Sequence, residues 1–148
     1  NKERNQWVLS SLKDKLGSLK EKTIVLLGAV YKPDTSTLRR SPAVEIGSLL
    51  KESGANCIAV DPMADLGELT DLEREQLPFT LERKAGENVN GADAVVLITE
   101  WPEFAKLDWE NWGEKIDAPV VIDTKNFLKN VEGTSRWTKI VPGIPEGA

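Results

Sequence analysis

The stretch "TIVLLGAVYKPDTSTLRRSP", residues 23–42, joins a continuous apolar run to a loop that carries three cations and a single glycine. "TIVLLG" (23–28) has no polar alternation, the pattern of a strand buried on both faces of a parallel sheet. After the loop, Ser41 and Pro42 read as an N-cap and first helical position, with Glu45 in the first turn. Ala43, Ile46, Leu49 and Leu50 then form one apolar face before Gly54 ends the helix. The predicted unit is therefore strand, long loop, helix. Pro33 steers Lys32 toward extended backbone and helps aim its ammonium off the strand end. A lysine there is a point charge suited to phosphate or carboxylate, and from position alone it is equally a solvated loop residue.

The same alternation continues along the chain. "CIAVDP" (57–62) reads as a second strand stopped by proline, and "GADAVVLIT" (91–99) and "PVVID" (119–123) as further buried strands. Residues 63–78 are polar and acidic, which predicts a short helix or an irregular excursion, followed by a short strand at "FTL" (79–81). "EFAKL" and "WENW" predict short helical turns. Ahead of the first strand, "NQWVLSSLKDKL" (5–16) places Trp7, Val8, Leu12 and Leu16 near helical spacing, with Gly17 as the stop. The predicted fold is α/β: a doubly wound, mainly parallel, Rossmann-like sheet preceded by a linking helix, with ligands outside the carboxyl ends of the strands. The tail "RWTKIVPGIPEGA" (136–148) either closes the sheet edge or is disordered.

Composition narrows the function. With 148 residues, 40% hydrophobic and 29% charged, the chain fits one soluble domain, and no apolar run approaches the roughly 20 residues of a membrane span. A net charge of −5 argues against a nucleic-acid surface. The absence of histidine excludes a Ser-His-Asp triad, a Cys-His pair and every His-containing zinc site, and no metal site is expected. Cys57 cannot form an internal disulfide; its context "NCIAV" predicts a packed, inert thiol, and as a nucleophile it lacks a base. The lack of a visible signal peptide and the cysteine count predict the cytoplasm, and a start at Asn1 predicts a piece of a longer chain.

The strand ends hold the candidate chemistry. The first strand ends in "GAVYK" and about thirteen residues intervene before the helix, so the tight G-x-G-x-x-G turn of a dinucleotide fold is missing. Asp61 stands roughly where a ribose-binding acid would sit, but its following proline favours a turn-forming role. Thr99 and Lys125 follow later strands much as a receiver domain places a hydroxyl and a lysine, yet the acidic pair such a domain needs for Mg²⁺ is absent at the first strand end. Trp101 and Phe104 are candidate stacking platforms for a base, with packing the favoured reading, and Glu100 is read as an anchor.

The run "LLGAVYKPDTSTLRRSPAVEIGSLLKESGANCIAVDP", followed by "GADAVVLITEWPEF" and "VVIDTKN", resembles the C-terminal domain of the UDP-glucose/GDP-mannose dehydrogenase family across most of residues 20–130. The aromatic-lysine pair, the proline-aspartate-threonine, the arginine and Ser-Pro at fixed offsets and the later Thr-Glu-Trp-x-x-Phe occur in family order. That family oxidises the C6 hydroxyl of a nucleotide-linked sugar twice, through a catalytic cysteine and two NAD⁺. The resemblance implies that residues 1–19 end a central dimerisation or linking helix and that residues 20–148 form a UDP-sugar-binding domain. The NAD-binding domain and the catalytic cysteine would lie before this chain, which alone would be inactive, and a homodimer would form through the central region. Carried over by position, Tyr31 and Lys32 match the pair that contacts the nucleotide-sugar. Arg39 matches an arginine that reaches toward the NAD, and Lys125 stands where the family usually has an arginine that contacts the nucleotide. Thr37 and Arg40 replace two acids of the family loop, and no partner is assigned to Arg40. The competing reading is a non-catalytic nucleotide-binding or interaction module, and a further one is an independent NAD-binding domain.

Overall fold

A computed structural model describes residues 2–33 and 37–143; Asp34, Thr35 and Ser36 of the cationic loop, and residues 144–148 of the tail, lie outside the described residues. Helix α1 (Lys2–Leu16) is followed by β1 (Thr23–Leu27), α2 (Pro42–Glu52) and β2 (Asn56–Val60). A one-turn 3₁₀ segment (Leu66–Glu68), the short α3 (Asp71–Glu75) and β3 (Thr80–Glu82) come next. Then β4 (Ala94–Leu97), α4 (Trp109–Glu114), β5 (Val120–Asp123) and β6 (Thr138–Ile140) complete the chain.

The six strands form one sheet in the order β3-β2-β1-β4-β5-β6, with every pairing parallel. Continuous apolar sequence has its expected cause: every residue of β4 and β5, and all of β1 but Thr23, is buried. The edge strands differ. β3 and β6 have three residues each and are only half-buried or exposed, which limits what a flat unpaired edge offers to another chain. Because the chain runs outward from the centre in both directions, right-handed crossovers put α2 and α4 on opposite faces of the sheet.

Local signals work as read. Ser41 caps α2, its hydroxyl accepting from Val44 N–H at 3.3 Å, and Pro42 occupies the first turn. Thr70 and Glu73, which the sequence reading did not single out, form a reciprocal capping box on α3. Helix α1 packs against α2 and β5, burying Val8 and Leu12, and Gly17 ends it at φ +75°. Burial alone pushes the Cys57 thiol up to about 12, in keeping with an inert packed side chain.

The described part of the tail closes the sheet edge. Trp137, just before β6, packs against Trp109 and Trp112 of α4 with ring centroids 5.1 and 5.3 Å away. Each indole N–H finds a backbone carbonyl: Trp109 to Phe104, Trp112 to Val89, Trp137 to Trp109. Gly113 makes room for this contact, since a Cβ there would stand 2.8 Å from the Trp137 indole nitrogen.

Candidate functional site

The direction of strand progression reverses between β1 and β4, and the carboxyl edge there is where an open α/β sheet leaves a crevice. Strand β1 leaves the sheet through Gly28, at φ +98°, a conformation glycine adopts without steric penalty. Space constrains it as strongly: a Cβ at Gly28 would stand 2.3 Å from the Thr99 Cβ. This glycine serves the close approach of the β1 and β4 ends.

The residues that follow are held from both neighbouring strands. On one side the Gly28 N–H donates to the Val60 carbonyl at 2.8 Å. On the other, the buried Thr99 hydroxyl donates to the Val30 carbonyl at 2.7 Å. Asp61, directly after β2 and fully buried, accepts at Oδ2 from Ala29 N (2.8 Å), Val30 N (3.2 Å) and the Trp101 indole nitrogen (3.0 Å). Its Oδ1 accepts from Met63 N (2.9 Å) and Ala64 N (2.8 Å). Five N–H donors thus replace the water that a buried carboxylate gives up. Asp61 makes its own turn, as the sequence predicts, and in addition anchors the β1 loop and the Trp101 indole, which the sequence reading missed. Trp101 and Phe104 are buried packing residues, again the favoured reading.

Beyond this anchor the chain turns outward. Tyr31 is 64% exposed, with its N–H donating across the loop to the Thr37 carbonyl, and Lys32 beside it is exposed too. Arg39 goes elsewhere. Its guanidinium grips both carboxylate oxygens of Glu73 at 3.0 Å and donates to the Glu68 carbonyl at 2.7 Å. This pairing, helped by the Thr70 cap, holds the Glu73 carboxyl at about 2, well below its usual range, and raises Arg39 in turn. Arg40 is exposed at φ +58°, the turn that delivers the chain to the Ser41 cap, and borders a groove with Glu45 and Glu73.

The fourth strand end carries Lys125. Asp123, buried at the end of β5, accepts from Lys125 N and Phe127 N at Oδ1 and from Leu128 N at Oδ2, folding residues 124–128 into a tight turn. The Thr124 hydroxyl donates to the Leu97 carbonyl, and Asn126 takes the left-handed conformation at φ +53°. Lys125 borders a cleft of about 210 Å³ with Arg4, Asn5, Pro42, Ile46, Ile98 and Thr124. Arg4 and Asn5 come from α1 and were not singled out in the sequence; Asn5 is fixed by donating to Glu45 at 2.6 Å. The strand order puts β5 two ladder steps from β1, roughly 10 Å, and because every pairing is parallel the turns bearing Lys32 and Lys125 leave the same carboxyl edge of the sheet.

A family model described as the UDP-binding domain of the UDP-glucose/GDP-mannose dehydrogenase family matches residues 25–130, from β1 to beyond the β5 turn. A UDP-glucose 6-dehydrogenase of Rickettsia bellii (strain RML369-C) is 36% identical over 135 residues, which cover 87% of this chain and 30% of that protein. The structure of a UDP-glucose dehydrogenase from Pyrobaculum islandicum superposes with a TM-score of 0.70 at 26% identity, over 97% of this chain and 30% of that one. An NDP-N-acetyl-D-galactosaminuronic acid dehydrogenase from Methanosarcina mazei Go1 shares the fold, with a TM-score of 0.74 at 18% identity over 93% of this chain and 28% of that one. The chain spans less than a third of the length of each. A match running from the first strand through the lysine-bearing turns of both β1 and β5 establishes that the chain belongs to the UDP-glucose/GDP-mannose dehydrogenase family, as its UDP-binding domain.

Proposed function

We propose that the chain is the C-terminal, nucleotide-sugar-binding domain of an NAD-dependent UDP-sugar 6-dehydrogenase, in which Lys32 and Lys125 meet the UDP-sugar and the chemistry occurs in a cleft completed by the rest of the parent protein. The observation that carries this reading is the pair of outward-facing lysine turns across the switch point of a family-matched domain. Tyr31 flanks the ligand beside Lys32. Lys125 supplies a point charge in place of a planar guanidinium, and Arg4 lies across the same cleft.

NAD, when bound, accepts the hydride from the sugar. This chain's own sheet does not fit the dinucleotide: its β1 turn has no glycine cradle, and the acid at the β2 end is buried and engaged by five N–H groups. The cofactor is therefore assigned to the N-terminal domain of the parent chain, with Arg39 as this chain's contribution after release from Glu73. Nor does the chain hold a competent thiol, since Cys57 is buried with its pKa near 12, so the catalytic cysteine is also assigned to the parent. Residues 1–19 form the end of the linking region, residues 20–148 the binding domain, dimerisation uses the central region, and the enzyme works in the cytoplasm.

The test is a calorimetric titration of UDP into the chain and of UDP-sugars into the parent enzyme. Hydrogen bonds to charged groups contribute about 1.5–3 kcal/mol, so Lys32→Ala should weaken binding roughly ten- to a hundredfold. An unchanged dissociation constant would refute the assignment.

A further inference from the structure

The loop that carries Lys32 has about thirteen residues between β1 and the α2 cap and only the glycine at its root, so the loop itself supplies no rigid backbone cradle. A lysine on such a loop is an effective ligand group only if the backbone beneath it is already ordered, because otherwise binding must pay to order it. The order is supplied from outside. The Val30 carbonyl receives the Thr99 hydroxyl, and the Ala29 and Val30 N–H groups end on Asp61, which is itself steadied by the Trp101 indole. These side chains come from the ends of β2 and β4, the two strands that flank β1. All three are buried beneath the loop.

We propose that Asp61, Thr99 and Trp101 are positioning residues that hold the Tyr31–Lys32 turn in its binding orientation, acting on the nucleotide through Lys32. The inference rests on the reading that Lys32 contacts the UDP moiety. Thr99 is the cleanest handle: its hydroxyl makes one bond to the turn, Thr99→Ala removes that bond without adding bulk, and Thr99→Ser retains the hydroxyl. Trp101→Phe acts on the opposite side of the turn, removing one of five donors to Asp61 while keeping an aromatic ring.

The experiment is a double-mutant cycle read by UDP titration of the chain, with Lys32→Ala, Thr99→Ala, Thr99→Ser and the Lys32→Ala/Thr99→Ala double variant. Loss of one hydrogen bond that orders the turn should weaken UDP binding about fivefold in Thr99→Ala. Thr99→Ser should restore binding to within about twofold, and the double variant should bind no more weakly than Lys32→Ala alone, since Thr99 acts through the lysine. A purely structural role would instead give losses that multiply in the double variant, and this would overturn the inference. If Lys32→Ala weakens binding and Thr99→Ala does not, the positioning role fails while the functional reading stands. If Lys32→Ala itself has no effect, the reading and the inference fall together. Should Thr99→Ala not fold, the cycle is run with Trp101→Phe, for which the same non-additivity is expected and additivity is again the refuting result.

Discussion

Replacing Asp61 by Asn keeps the size and shape of the side chain and changes only what its two ends can do. The carboxylate accepts from three N–H groups at one oxygen and two at the other. A carboxamide has one acceptor oxygen and one NH₂ group. With the oxygen toward Ala29, Val30 and Trp101, the NH₂ faces the N–H groups of Met63 and Ala64; the reverse orientation leaves three donors stranded. At least two N–H groups, the buried one of Ala64 and the part-buried one of Met63, therefore lose their acceptor, at about 1–3 kcal/mol each, which gives a loss of about 4 kcal/mol. With a urea slope of about 2 kcal/mol/M, the unfolding midpoint should drop by about 2 M. Asp65→Asn is the control: Asp65 is exposed and accepts from Gly67 N–H in its own turn, so its midpoint should move by less than about 0.5 M. A midpoint for Asp61→Asn as close to the parent protein as that of the control would refute the view that this carboxylate organises the carboxyl edge.

Three further outcomes follow from other parts of the molecule. Because Glu73 is depressed in the folded state, its pairing with Arg39 contributes fully above about pH 4.5 and is lost as the pH falls toward about 2. Glutamine preserves the capping box, so the melting-temperature gap between the parent protein and Glu73→Gln should close across that interval and shrink in high salt; a gap independent of pH would count against the pair. With its thiol at about 12, Cys57 should react with a thiol-specific chromogenic reagent at pH 8 only after denaturation, and fast labelling of the native chain would contradict its burial. Trp137→Ala should lower stability by about 3–5 kcal/mol in denaturant titration, and a loss below about 1 kcal/mol would mean the tail is not part of the core.

What could be read in advance depended on how far apart the cooperating residues lie. Helix α2 was legible to its first residue because Ser41, Pro42 and Glu45 are adjacent signals acting on a single turn. The buried strands were legible because a parallel sheet covered on both faces demands uninterrupted apolar runs, and β1, β4 and β5 have them. Strand β6 is not legible, since "TKI" has neither length nor alternation; what places it is Trp137 meeting a helix 28 residues earlier. The site divides in the same way. Lys32 stands out as a candidate by its place just past a strand, and Tyr31 and Lys125 become candidates through the family resemblance, whereas the partner of Arg39 lies 34 residues away and the indole on Asp61 lies 40 residues away. Arg4 was invisible for a different reason: its place beside Lys125 depends on how α1 docks across α2 and β5, which its own helical spacing does not encode.

The engagement of Asp61 also bears on protein engineering. In a dinucleotide-binding sheet, the corner after the second strand is free to recognise a ribose, and cofactor preference can be switched there by exchanging one acid. Here that corner is occupied in holding the chain's own backbone. Grafting a glycine fingerprint onto β1 would therefore leave the new pocket without its sugar-reading residue, and redirecting Asp61 outward would undo the turn that supports the graft. On the proposed reading of Lys32 and Lys125, exchanging those lysines and their neighbours is the tractable route to altered ligand preference, because exposed side chains can change while the interlocked strand ends beneath them stay as they are.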